Sequence, residues 1–346
     1  MRSTDPVRVI AASLHEGDVI QVKMQLASGK KFQYVAGQYL RLLCPDIDPK
    51  EWHPFTITSA PQQDFFSCHI RARRGMDWTS KLKELLTSMD QSGMDRMEDM
   101  ANPMNGGGRG QRKLTVSERP KEESFGGSHE APNRRLSKVP KGQPTILVDG
   151  PYGSSSEEVY NYKTLVLVGA GIGVTPFASI MRSIVLQEQY KNTMRRQDGL
   201  GAAEQKLRVN FFWCCRDRTE FNSFKGLLKD DIRANSGLQD NFVFNLYMSG
   251  EVEVTDKKVA AEIEEMGKWT TLFTGRPNWN RIFKGVRKEA QPGEHIGVFF
   301  CGAPAIASAL KKASRTHSDK VGSGVLAHHK EHNPNGIYFD FHKENF

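Results

Sequence analysis

The chain has 346 residues, 38% hydrophobic and 25% charged, with a formal net charge of +8. That length is about twice an ordinary domain, so two domains are expected, with some of the chain left over for loops. No apolar run reaches the ~18 residues of a membrane helix and no signal-peptide core follows Met1, so the sequence reads as soluble as it stands or as the soluble part of something longer.

From Val7 to about Ser67 short alternating runs follow one another, VRVIAAS, DVIQVKMQL, KFQYVAG, QYLRLLC and HPFTITSA, and then comes FFSCHIRA. Turn residues separate them, which predicts a small antiparallel barrel or sandwich. WTSKLKELL then predicts a helix over Trp78 to Leu86, with Leu82, Leu85 and Leu86 on one face. Between about 88 and 143 aliphatic periodicity vanishes into GGGRG, GGSHEAPNRR and SKVPKGQP, the composition of a mobile insertion. Its Arg134-Arg135-Leu136-Ser137 has the form basophilic kinases accept, although chance explains such a match in a Ser/Arg-rich loop. TILVDG (Thr145 to Gly150) returns to strand, so the first domain is placed at 1–152 and the second at 158–346.

The second half changes rhythm. Strand runs at 164–168, 207–214, 242–248 and 296–301 alternate with helical stretches at 177–191, 220–232, 258–266, 278–290 and 305–314. Such alternation predicts a doubly wound parallel sheet, closed by a last strand at Ile337 to Phe341. The net charge admits either a polyanion partner or basic loops around phosphorylated cofactors. No nucleic-acid signature accompanies it, which favours the second, with membrane proximity as a contributor.

The run TLVLV-GAGIGVTPFASI drives a buried strand into Gly169, Gly171 and Gly173, with Val174 and Thr175 opening a helix. Glycines admit a pyrophosphate close to the backbone, and a helix N-terminus supplies amides and partial positive charge. Thr175 suits an N-cap and Pro176 the first helical position. Alone, such a turn is as well explained by a ligand-free strand-to-helix connection. The cysteines at 44, 68, 214, 215 and 301 form no C-x-x-C pair, so no metal site is expected and free thiols are. His328, His329 and His332 sit in a polar run that reads as a solvated loop.

HPFTITSAP, HIR, DWT, VDGPYG, GAGIGVTPFASI, FFWCCRD, GRPNW, GVFFCG and the terminal HKENF occur in order over nearly the whole chain. In that series the sequence resembles the C-terminal dehydrogenase region of the superoxide-generating NADPH oxidases, within the ferredoxin reductase-like superfamily. The resemblance implies an all-β FAD-binding barrel followed by an α/β Rossmann-like NADP-binding domain, with FAD and NADPH as cofactors. It implies that His53, Pro54, Phe55 and Thr56 line the flavin, with the Thr56 hydroxyl at its reactive edge. His69, Ile70 and Arg71 belong to the same site, and Arg71, Trp78 and Thr79 would hold the FAD phosphates. Gly169, Gly171, Gly173, Val174 and Thr175 would meet the NADPH pyrophosphate. Arg216 and Arg276 would clamp a 2′-phosphate, against the plainer reading of surface ion pairs such as Arg216 with Asp217. Cys301 and Gly302 would face the nicotinamide, the plainer reading of Cys301 being a packed thiol. Two departures from the family pattern stand out: ARRGMD between Arg71 and Trp78 is long, and Ala303 intervenes between Gly302 and Pro304.

The resemblance further implies a membrane haem domain as electron acceptor, upstream in the same polypeptide or on a separate chain, with cytosolic activators as possible partners. The module would then sit at the cytosolic face of a membrane. The alternatives are a ferric or cytochrome reductase, or a catalytically silent regulatory module. Phe346 is implied to stack on the flavin and swing aside for the nicotinamide, where a frayed terminus is the plainer reading. Deleting Phe346 is expected to lower the apparent KM for NADPH and to change flavin fluorescence; if both stay constant, Phe346 is only a tail.

Overall fold

Period-two alternation along the first part of the chain builds six antiparallel strands. They are β1 (Asp5–His15), β2 (Val19–Leu26), β3 (Tyr39–Leu43), β4 (His53–Thr56), β5 (Phe66–Arg71) and β6 (Ile146–Tyr152). The computed structural model describes residues 4–72, 75–87, 144–198, 207–216, 221, 242–250, 270–319 and 333–344. The insertion at 88–143 with Ser137, most of the helical stretch at 220–232, the stretch at 258–266, His328, His329, His332 and Phe346 lie outside the described residues.

The strands pair in the order β4-β3-β6-β1-β2-β5, and the sheet curls until its ends meet. Ile57, just past β4, bridges Cys68 of β5, and the Thr58 amide donates to the Ser67 carbonyl at 2.7 Å. Joining the ends leaves few unpaired edge groups. The inward residues Val22, Met24, Leu40, Leu42, Ile57, Cys68 and Ile70 form its core. Helix α1 (78–87) covers one side with Trp78, Leu82 and Leu86, all buried, and Leu85 packs at the margin as the spacing predicts. KFQYVAG is not a strand, contrary to expectation. Its side chains serve other contacts instead: Phe32 packs on Phe66 at 4.6 Å, Tyr34 bonds Ser59, and Ala36 is buried against the second layer.

The second sheet is parallel throughout, in the order β10-β9-β8-β7-β11-β12. Its strands are β7 (Thr164–Ala170), β8 (Arg208–Cys215), β9 (Phe242–Met248), β10 (Thr270–Thr274), β11 (His295–Cys301) and β12 (Tyr338–Lys343). β10 was not expected; it is a short edge strand with no buried residue, so it lacks the apolar run of a central one. Helix α2 (Thr175–Asp198) packs Phe177, Ile180, Met181 and Ile184 on one face of the sheet, where Val19 and Ala36 of the barrel join the same cluster. Helices α3 (Trp279–Glu289) and α4 (Pro304–His317) cover the other face through Phe283, Val286 and Leu310.

The chain leaves β7 toward β8 and later returns to β11 on the other side of β7. At such a reversal the loops diverge and open a crevice at the carboxyl ends of the strands. No described helix is long and apolar enough to cross a membrane.

Candidate functional site

The glycine turn sits in that crevice. Residues Gly171–Val174 form a 3-10 turn that runs directly into α2. Thr175, expected as N-cap, is itself helical (φ −58°, ψ −44°) because the turn before it has already begun the helix. Its hydroxyl donates back to the Ile172 carbonyl at 3.1 Å, and Trp213 Nε1 donates to the Gly171 carbonyl at 3.1 Å. The residue at the entry is Ala170, which offers no side-chain cap. With two carbonyls tied behind and no cap in front, the leading amides suit an anion.

Glycine is required here by space and by angle. Gly171 has φ +54°. A Cβ on Gly173 would lie 2.3 Å from the Cys301 carbonyl oxygen, and one on Gly169 would meet Val174 Cα at 3.0 Å. Gly302, at φ +148°, lies against Ala170. The turn and the end of β11 therefore touch backbone to backbone, which brings Gly169, Gly171, Gly173, Val174, Thr175, Cys301 and Gly302 together. Burial, and then the charge of Glu344, push the Cys301 thiol up to about 12. It stays protonated at neutral pH and serves as a compact wall, not as a nucleophile. All five cysteines are free and buried.

On the barrel side, β4 divides its residues between two faces. His53 and Phe55 face Trp78, with ring centroids 4.3 and 5.9 Å away. Pro54, and by alternation Thr56, face the opposite way. Pro54 lines a cleft of about 620 Å³ with Tyr39, Arg41, Trp52, Ser154, Lys343 and Glu344. That volume lies within the range of cofactor pockets. Tyr39 stacks on Tyr152 at 5.2 Å, and Arg41 lies 4.9 Å above the Tyr152 ring. Glu344 crosses from the end of β12: its carboxylate accepts from the Ser156 amide at 2.6 Å and the Ser155 hydroxyl at 3.1 Å. Sequence reading missed Tyr39, Arg41 and Trp52; Tyr152 was visible in VDGPYG and Lys343 and Glu344 in HKENF.

Trp78 Nε1 is a buried donor with no acceptor among the described residues, an orphan that a ligand beside His53 would satisfy. The start of α1, by contrast, is already capped. Asp77 accepts from the Ser80 amide at 2.9 Å and from the Thr79 hydroxyl at 3.0 Å, so Thr79 turns toward Asp77. Ile70 lies in the barrel core. Arg71 ends β5 opposite Val19. His69 is buried, with Nδ1 2.9 Å from the Thr58 hydroxyl. Burial above all, then the charges of His15, Arg182 and Lys23, hold its pKa well below the ordinary value, so it is neutral. Ile70 thus turns into the core, while His69 and Arg71, two residues apart on β5, share the opposite face.

Arg216 and Arg276 follow β8 and β10 at the carboxyl edge of the sheet. Backbone bonds stitch that edge together: Ser249 to Cys215 at 2.9 Å, Gly250 to Arg216 at 2.8 Å and Gly275 to Met248 at 2.8 Å. One strand, β9, separates the two arginines, a gap of about 10 Å that long side chains can bridge. Arg276 lines a second cleft, of about 470 Å³, with Asn245, Tyr247, Phe273 and Arg281.

The description "FAD-binding domain" matches residues 5–156, and "Ferric reductase NAD binding domain" matches 162–315. A superoxide-generating NADPH oxidase heavy chain of Dictyostelium discoideum is 36% identical over 96% of this chain and 54% of its own length. NADPH oxidase 3 of Rattus norvegicus is 31% identical over 100% of this chain and 50% of its own. The chain belongs to the NADPH oxidase family. It corresponds to the dehydrogenase region, an oxidoreductase module that passes electrons from NADPH to FAD. It spans about half the length of these two relatives. Among solved structures, the CS-b5R domains of human Ncb5or in the NAD+ form match with a TM-score of 0.53 at 11% identity, covering 98% of this chain and 70% of that one. At that identity the match speaks for the fold alone.

Because Gly173 touches the Cys301 carbonyl, Gly173→Ala should weaken NADPH binding by at least about tenfold, near 1.4 kcal/mol, while FAD is retained. Nucleotide titration of the flavin-loaded protein measures this; an unchanged affinity would show that the turn does not hold the pyrophosphate.

Proposed function

We propose that this module delivers electrons from NADPH, through FAD, to a haem in a membrane domain, and that oxygen accepts them to give superoxide. The haem domain lies upstream in the same polypeptide or on a separate chain, and the module sits at the cytosolic face of that membrane, open to cytosolic activators. The observation that carries the reading is the juxtaposition at the crevice, where an uncapped glycine turn and the end of β11 meet beside the cleft of β4. The names of the relatives support the final acceptor, since both are NADPH oxidases.

Within the site, β4 holds the flavin through Pro54 and Thr56 on one face, with His53 and Phe55 against Trp78 on the other. Arg71 and Trp78 lie toward its phosphates, and Thr79 must leave Asp77 to join them. When bound, the flavin supplies the conversion between two-electron and single-electron chemistry. Thr56 offers a hydroxyl to the flavin edge, and Cys301 with Gly302 shapes the nicotinamide wall. Phe346 shields that wall until NADPH arrives. No acid or base is needed; the residues orient the two cofactors and exclude water. The division near 153–157 separates the flavin half from the nucleotide half.

A ferric reductase is the second reading, favoured by the description of the family matching 162–315. A silent regulatory module is the third. With FAD and NADPH the isolated chain should reduce a soluble dye and show no haem absorbance band. A haem band, or failure to bleach the flavin with NADPH, would overturn the assignment. Fusing the chain to a haem domain of the family and measuring superoxide against ferric reduction separates the first two readings.

Arg216 and Arg276 set the preference for NADPH through two charge-assisted bonds of about 1.5–3 kcal/mol each. Replacing both with Ala should raise the KM for NADPH by at least about tenfold and leave that for NADH nearly unchanged. Equal losses with both nucleotides would remove them from the phosphate clamp.

A further inference from the structure

One face of α2 is polar, although it is buried. Ser179, Arg182 and Ser183 recur at helical spacing and are all at most 9% exposed. They meet the segment that continues β4 past Thr56. The Ser179 hydroxyl donates to the Ser59 carbonyl at 2.6 Å, and Arg182 Nη1 donates to the Thr58 carbonyl at 3.2 Å. Ser183 Oγ accepts from Gln62 Nε2 at 3.1 Å and from the Tyr160 hydroxyl at 3.0 Å.

The segment that receives these bonds is itself held on every side. Thr58 Oγ1 bonds Ser67 Oγ at 3.0 Å and His69 Nδ1 at 2.9 Å. Ser59 Oγ accepts from the Ser67 amide at 2.9 Å and bonds Tyr34 at 2.8 Å. Thr58, Ser59, Ser67 and Ser179 are fully buried. A buried polar network of this kind is worthwhile only when its members are satisfied, and then it fixes one geometry.

We propose that Arg182, with Ser179, is a positioning residue for electron transfer: it clasps the nucleotide helix to the flavin strand and so sets the gap between nicotinamide and flavin. The helix that begins at the glycine turn reaches Arg182 after seven residues, a rise of about 10 Å. The strand it holds carries Thr56 only two residues before Thr58. One rigid helix therefore links the pyrophosphate turn to the strand against which the flavin rests. Transfer between the cofactors needs a separation of about 3–3.5 Å, and an error of about 1 Å costs on the order of a hundredfold. Arginine suits the position because its planar fork is pre-organised and reaches a carbonyl with little reorganisation.

The proposal rests on the assignment of β4 to the flavin and of the glycine turn to NADPH. The test is single-turnover bleaching of the flavin by NADPH, without oxygen, in the full chain loaded with FAD. In Arg182→Met, FAD occupancy and NADPH affinity should stay within about twofold while the bleaching rate falls about tenfold to a hundredfold. Arg182→Lys should recover part of the rate, and NADPH deuterated at the transferred position should show a larger isotope effect in the Met variant. Ser179→Ala, a small change that tolerates folding, should slow bleaching about threefold to tenfold. Wild-type rates in Ser179→Ala and in any folded Arg182→Met would overturn the clasp. So would losses of rate that merely follow losses of FAD. A wild-type chain that binds FAD but is not bleached by NADPH would instead refute the cofactor assignment.

Discussion

The contact between Gly173 and the Cys301 carbonyl is the constraint on which the site depends. It forces the turn after β7 to lie flat against the end of β11, across the point where the order of the sheet reverses. With any larger residue the turn would lift, the crevice would close differently, and α2 would leave the sheet at another angle. Because α2 also packs on Val19 and Ala36 of the barrel, that angle fixes the placement of the flavin half. A backbone contact thus governs the relation between two halves of the molecule.

Electrostatics complement that packing by leaving the cleft's few charges at its margins. The Arg41 guanidinium lies on Tyr152, and the Glu344 carboxylate is satisfied by Ser155 and Ser156. Both are held without forming an ion pair with each other, so that wall of the cleft is fixed. The neutral His69 belongs to the interior, where burial first and then the neighbouring charges of His15 and Arg182 disfavour a positive ring.

Local patterns carried most of what could be read in advance. The glycine turn, HPFT and the alternating strands are contiguous, and their periods or bond angles are visible one residue at a time. What escaped reading was assembled from afar. Tyr39 meets Tyr152 only because β3 pairs with β6 across a long insertion. Arg182 looks like one more polar residue on a helix until the barrel covers it. β10 was missed because an exposed edge strand has no apolar signature, and KFQYVAG misled because aromatic alternation serves packing in irregular backbone as well as in strands. The location of part of the charge was also hidden: Lys284, Lys288, Lys311, Lys312 and Arg315 are exposed on α3 and α4, whereas Arg281 shares the second cleft with Arg276.

The burial of every cysteine has a consequence for how long the protein lasts at work. Burial pushes the thiols of Cys214 and Cys301 up to about 12, so at neutral pH they stay protonated. Oxidants attack the thiolate and must first reach it. The cysteines are thereby insulated from oxidants, and the sulfur left open to them is the thioether of an exposed methionine such as Met76, which oxidises to the sulfoxide.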